Sequence, residues 1–422
     1  MQIHPIVYLR YMGNLLIKNI KGLAGILENN SAPLRGEQLG QLNTIENAFL
    51  AVEDGRIAMY GKMEDLAGIA DWTDLEVIDA ENRYVLPAYC DSHSHLVFAK
   101  TREGEFVDRI KGLSYEEIGA KGGGILNSAR KLAEMSEDDL VNDALKRLEL
   151  IKSFGTGAIE IKSGYGLSVA AEIKMLRVIK RLKELSDVTI KATFLGAHAF
   201  PTEYKENQQA YIDLILKEML PAIIEEDLAE YMDVFCERNY FSAEQLDTLL
   251  QAGLRAGLKP KIHVNQFSVM GGVQIGVKHK AVSVDHLEEL SDEDVDTLNG
   301  SKTIATALPS CSFFLSIPYS PVRKLIKNNA AVALATDYNP GSTPSGNMQF
   351  VNALACSKMK MTPEEALNAT TINGAYAMEI DEELGSITVG KKANLIITKE
   401  IPSLHYMPYS FGENCVEQLL LL

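Results

Sequence analysis

The chain has 422 residues, 46% of them hydrophobic and 23% charged, with 57 acidic against 41 basic side chains and a formal charge of −16. That length exceeds one small core and suits a large domain with a smaller companion. An acidic chain with no basic stripe repels phosphate backbones, and no run of ~20 apolar residues spans a bilayer, so nucleic acid and membrane are excluded as partners.

Five cysteines (Cys90, Cys236, Cys311, Cys356 and Cys415) are scattered, with no C-x-x-C pair. That usage fits a reducing compartment. Arg10, Lys18 and Lys21 interrupt every early apolar run, so no signal peptide is read and a cytoplasmic location is expected. Residues 1–11 read as an upstream leader and carry no fold argument.

In chain order, short strands come first, at 14–20, 49–53, 56–60 and 77–79. Asp54-Gly55 between two of them is a hairpin signal. The middle alternates apolar strand candidates at 84–90, 158–161, 189–195, 232–236, 260–264, 281–285, 303–308 and 331–336 with helical stretches at 137–154, 169–185, 204–224, 243–252 and 322–328. Eight β-then-α units predict an α/β fold, a (β/α)₈ TIM-type barrel over residues 86–384. A doubly wound sheet would need a G-x-G-x-x-G after its first strand, and none is there. The chain end returns to strand character at 395–398. Residues 12–85 and 385–422 are therefore expected to form one small β-sandwich domain from both termini. Gly122-Gly123-Gly124 lacks the Lys-Ser/Thr of a phosphate loop and is read as a mobile loop at the barrel mouth.

The histidines follow this frame. His93 and His95 sit one residue apart at the end of the first barrel strand, where alternate residues share a face. His198 follows the third strand, His263 lies in the fifth, His286 ends the sixth and Asp337 ends the eighth. His4 and His405 fall outside the barrel, and His279 lies on a connection. Such barrels build their sites at the C-terminal strand ends. Three imidazoles and a carboxylate there satisfy a divalent ion, whose water would have a pKa near ~7. His286 and Asp337 are placed to move protons around that water.

This ordered set resembles the amidohydrolase superfamily, metal-dependent hydrolases on a (β/α)₈ barrel. The finer resemblance is to the imidazolonepropionases of histidine degradation. Its carriers are Asp91-Ser92-His93-Ser94-His95-Leu96-Val97-Phe98, Arg102-Glu103, Gly122-Gly123-Gly124-Ile125, Lys162-Ser163-Gly164-Tyr165-Gly166-Leu167, Leu195-Gly196-Ala197-His198-Ala199, Val234-Phe235-Cys236-Glu237 and Ala335-Thr336-Asp337-Tyr338-Asn339-Pro340-Gly341-Ser342. The resemblance implies hydrolytic ring opening of 4-imidazolone-5-propanoate to N-formimino-L-glutamate. The expected ligands of one zinc or iron ion are His93, His95, His263 and Asp337. Arg102 is expected to clamp the substrate carboxylate with its fork. Tyr115, Tyr165, His198, Asn339, Gly341 and Ser342 are expected around the same ligand. Gln266, three residues past His263, stands where many superfamily members carry an acid. An amide at that substrate-facing position cannot shuttle a proton, so the general base is sought at His286 or Asp337. Two-metal relatives bridge their ions with a modified lysine after strand four, whereas Lys162 follows strand two, so a single ion is expected. A ring-amine or nucleobase deaminase and an inactive barrel scaffold are the competing readings. A homodimer is the expected assembly.

Overall fold

The computed structural model describes residues 14–28, 32–68, 75–113, 117 and 123–422. Five strands come first: β1 (Asn14–Ala24), β2 (Thr44–Glu53), β3 (Arg56–Lys62), β4 (Leu75–Asp79) and β5 (Tyr84–Pro87). Eight follow: β6 (Tyr89–Asp91), β7 (Thr156–Lys162), β8 (Thr189–Ala197), β9 (Tyr231–Cys236), β10 (Lys259–Val264), β11 (Ser283–His286), β12 (Ile304–Ala307) and β13 (Val332–Leu334). β14 (Leu395–Thr398) and β15 (Val416–Leu420) end the series.

Both chain ends meet in one seven-stranded sheet of order β15-β14-β5-β1-β2-β3, with β4 beside β1. The Asp54-Gly55 turn has positive φ at both residues, the two-residue hairpin geometry whose twist matches its strands. A register shift between Ile17 and Ile20, around Asn19 at φ 55°, bends β1. Its first half pairs with β4 and its second with β5. The sheet has its own core of Leu15, Ile17, Ile20, Leu50, Val85 and Leu395.

β6 to β13 run parallel, each paired with the next. Their inner-layer strands are buried almost throughout, as expected when helices cover the outside. The ring closes between its first and last members. Ser94 bridges Tyr338, His95 N donates to Tyr338 O at 2.9 Å, and Asp337 N donates to His93 O at 3.0 Å. Closure thus sets His93 and His95 against Asp337.

Three expectations need correction. The stretch 84–90 is two strands: β5 joins the terminal sheet, Ala88 N donates to Asn394 O, and β6 opens the barrel. Residues 204–224 are broken into Gln208–Leu214, a π turn at Ile215–Met219 and Leu220–Glu225. Gly123 and Gly124, read as loop, begin the helix Gly124–Glu134, whose first N–H donates to Glu105 Oε1 at 2.9 Å. The helices Glu137–Ser153 and Val169–Leu185 start where expected, each capped by the serine before it.

Candidate active site

The C-terminal ends of the barrel strands surround a cavity of about 560 Å³. Each predicted substrate contact among the described residues lines it, as do His95, His263, His286 and Asp337. Tyr115 lies outside the described residues.

At its floor, His93, His95 and Asp337 bring ligand atoms within 4.8 Å of one another, as do His93, His263 and His286. His95 Nε2 is 3.3 Å from His263 Nε2 and 3.8 Å from Asp337 Oδ1, and His93 Nε2 is 3.6 Å from the same oxygen. Two carboxylates beneath hold the rings. His93 Nδ1 donates to Asp285 Oδ2 at 2.7 Å, and His263 Nδ1 donates to Asp233 Oδ2 at 2.9 Å. Both Nε2 lone pairs therefore face the centre. His93 Nε2 is buried with no hydrogen-bond partner. Such an atom carries an unmet desolvation cost, which a cation at the focus of these donors would remove. The donor set fits a divalent ion. Burial, then neighbouring positive groups, keeps His93 and His95 well below the usual histidine range, so both stay neutral and ready to ligate.

The supporting charges were missed at the sequence level. Lys162 Nζ donates to Glu160 Oε1 at 2.6 Å and Asp233 Oδ2 at 2.8 Å, and lies 3.6 Å from Asp285 Oδ2. Lys261 Nζ donates to Glu160 and to the carbonyls of Ser92 and Ala377. All five side chains are fully buried. The available signal was alternation: Glu160 and Lys162, then Lys261 and His263, stand two apart in apolar strands and so point into the barrel. Burial opposes the charge on Lys162, but Asp233, Glu160 and Asp285 outweigh it and raise its pKa, so its amine is held as an ammonium.

His286 and Asp337 both lie at positive φ, 87° and 55°, sparsely populated for residues other than glycine. The bend after β11 lets His286 face the cavity although its neighbour Asp285 also points inward. Burial works against a charge on His286, yet Glu288, with Asp337 and Asp285, outweighs it and raises the ring's pKa. Burial raises Asp337 against the opposing pull of His286 and His263.

Above this floor, Asn339 organises the loop after β13. Its Oδ1 accepts from the N–H groups of Gly341 and Ser342, both at 2.7 Å, and Ser342 Oγ donates to Asp337 Oδ2 at 3.3 Å. Gly341 abuts the Arg102 guanidinium so closely that a Cβ would collide with it. Arg102 Nε and Nη2 donate to Glu105 Oε2 at 2.9 and 2.6 Å, so its fork is already aligned by a carboxylate. Opposite, Glu172 pins the Tyr165 loop, accepting from the N–H groups of Gly164, Gly166 and Leu167 at 3.1, 2.7 and 2.9 Å. Gly164, at φ 109°, leaves room for His198: a Cβ there would meet its Nδ1 at 2.7 Å. His198 Nδ1 donates to Gly164 O at 3.1 Å and its ring stacks on His95 with centroids 5.1 Å apart. Gln266 Nε2 donates to Cys311 Sγ at 3.4 Å.

Residues 272–416 match the model of the amidohydrolase family. Over 407 residues the chain is 58% identical to an imidazolonepropionase of Flavobacterium johnsoniae, covering 96% of this chain and 98% of that one. This decides the family. The chain belongs to the imidazolonepropionases. An imidazolonepropionase of Thermoanaerobacter pseudethanolicus is 41% identical, with 96% of each chain covered. Among solved structures, E. coli guanine deaminase shares the fold with a TM-score of 0.71 at 13% identity, over 97% of this chain and 99% of that one. Imidazolonepropionase membership makes the chain a hydrolase of cyclic amide C–N bonds. No helix among the described residues is long and apolar enough to cross a membrane.

Proposed function

We propose that His93, His95, His263 and Asp337 hold one zinc or iron ion and that the cavity above it opens the ring of 4-imidazolone-5-propanoate with water, giving N-formimino-L-glutamate. The observation that carries the ion is the orphaned Nε2 of His93 beside three further convergent donors. Imidazole and carboxylate suit either metal. When bound, the ion supplies Lewis acidity that makes water nucleophilic near neutral pH.

The chain's own groups do the rest. Arg102, aligned by Glu105, binds the propanoate carboxylate and so fixes the ring's direction in the cavity. Tyr165 and His198 hydrogen-bond the imidazolone, and Gln266 contacts it without moving a proton. Asn339 keeps Gly341 and Ser342 against the ligand. His286 takes the proton from the attacking water, and its raised pKa suits that task. It returns the proton to the ring nitrogen that leaves. Asp337 is the second proton-handling group, its Oδ2 accepting from Ser342 Oγ. A deaminase of a neutral base would need no arginine at this depth, and a scaffold would need no convergent Nε2 lone pairs. The same reading includes a homodimer in the cytoplasm, to be tested by sedimentation; five free thiols suit a reducing compartment.

Two measurements decide it. Protein purified without chelator should carry one transition-metal ion per chain, and fresh imidazolone propanoate should yield a product with the mass of formiminoglutamate. Folded protein that stays metal-free after reloading, or ammonia release in place of ring opening, overturns the reading.

A further inference from the structure

One buried cluster joins His286 to two residues, Glu288 and Cys311, that have been given no part in the reaction. Ligand atoms of His286, Glu288 and Cys311 lie within 4.8 Å of one another, and all three residues are buried. His286 Nδ1 is 3.4 Å from Glu288 Oε1, and Ser312 Oγ is 3.3 Å from the same oxygen. A tetrahedral ion with bonds of ~2.1 Å separates its ligands by about that distance. The second oxygen, Glu288 Oε2, is buried with no partner at all. A carboxylate oxygen in that state costs free energy unless a donor or cation reaches it. The cluster adjoins the substrate cavity through His286 and Gln266, which gives an ion its way in.

We propose that His286 Nδ1, Glu288 and Cys311 Sγ form a second site, for a thiophilic divalent ion such as zinc or cadmium, whose filling inhibits the enzyme. Nitrogen, oxygen and sulfur donors together favour such ions over magnesium or calcium. Binding converts the Cys311 thiol to a thiolate and releases its proton to solvent. Inhibition rests on the reading of His286 as proton carrier. A ring with Nδ1 on an ion and its proton on Nε2 has no site left to accept another.

The test starts from enzyme holding one ion per chain, titrated with zinc and, separately, with cobalt. A second ion per chain should bind, cobalt should produce a near-ultraviolet sulfur-to-metal charge-transfer band, and turnover should fall as the site fills. Cys311→Ser should keep the first ion, lose the band and weaken the second ion at least about tenfold. Glu288→Gln should weaken it while leaving the thiol in place, and retention of the first ion reports that each variant is folded. Absence of a second ion, or an unchanged second ion in both variants, overturns the site. A second ion with its band but undiminished turnover overturns the inhibition and the proton role of His286, and leaves the site standing.

Discussion

On the proposed reading His286 carries the proton, and its environment says what its loss should do. His286→Ala should keep the metal and lower kcat by ~10²–10⁴-fold, the usual worth of a general acid–base group. Metal content beside steady-state rates checks this, and near-normal turnover would move the role to Asp337. Arg102→Met should raise KM for imidazolone propanoate by roughly 2–3 kcal/mol, the worth of charge-assisted hydrogen bonds. An analogue without the carboxylate should be almost indifferent, and equal losses for both would make Arg102 a structural partner of Glu105 alone. Burial, with His263 beside it, lowers His198 to about 3. Below the unfolded value of ~6.5 the unfolded chain gains a proton that the folded one refuses, so this group weakens the fold as pH falls from there towards about 3. The full linkage slope is ~1.4 kcal/mol per pH unit, and it averages about 1 over the range in which the unfolded ring is still taking up its proton. In chelated protein, His198→Asn should flatten the urea-derived stability slope between pH 6.5 and 4.5 by about that much; parallel slopes would refute it. The barrel residues of the centre were legible because each stands at the end of an apolar strand. Glu288 and Cys311 were not, since only the fold brings β11 and the segment after β12 together.

At the level of elements, the loop carrying Tyr165 owes its shape to Glu172 on the following helix, three N–H donors meeting one buried carboxylate. Glu172→Gln turns one acceptor into a donor facing Gly164 N–H. It should raise KM about tenfold, the cost of roughly one charged hydrogen bond, with a smaller change in kcat. Amide exchange should quicken at residues 164–167, and unchanged exchange would remove the pinning role. The eight barrel strands were readable from apolar runs, and the helices from the stretches between them. The break at Ala88 was not: both β5 and β6 are buried, and a partner change leaves no mark in periodicity. The π turn at Ile215–Met219 escaped for the same reason, because its residues keep a helical pattern.

Across the whole molecule, the barrel interior is tied by five buried charges rather than packed only with hydrocarbon. Lys162→Met would leave Asp233 and Asp285 without their ammonium. Removing one partner of a buried network typically costs 3–5 kcal/mol, so urea unfolding should shift by about that amount and metal affinity should drop ~10–100-fold with the loosened histidines. A loss below about 1 kcal/mol would mean that water or protonation replaces the lysine freely. The two-part architecture was legible from strand-rich ends around a βα middle, whereas the ring's inner charges needed the strand faces assigned. The seam where β6 meets β13 has one more consequence. His93 and His95 emerge early in synthesis and Asp337 late, yet all three face one point only after the seam is sealed. On the proposed ligand set, a chain whose seam is still open offers passing ions an incomplete grip, and metal selection waits for the last barrel strand to join the first.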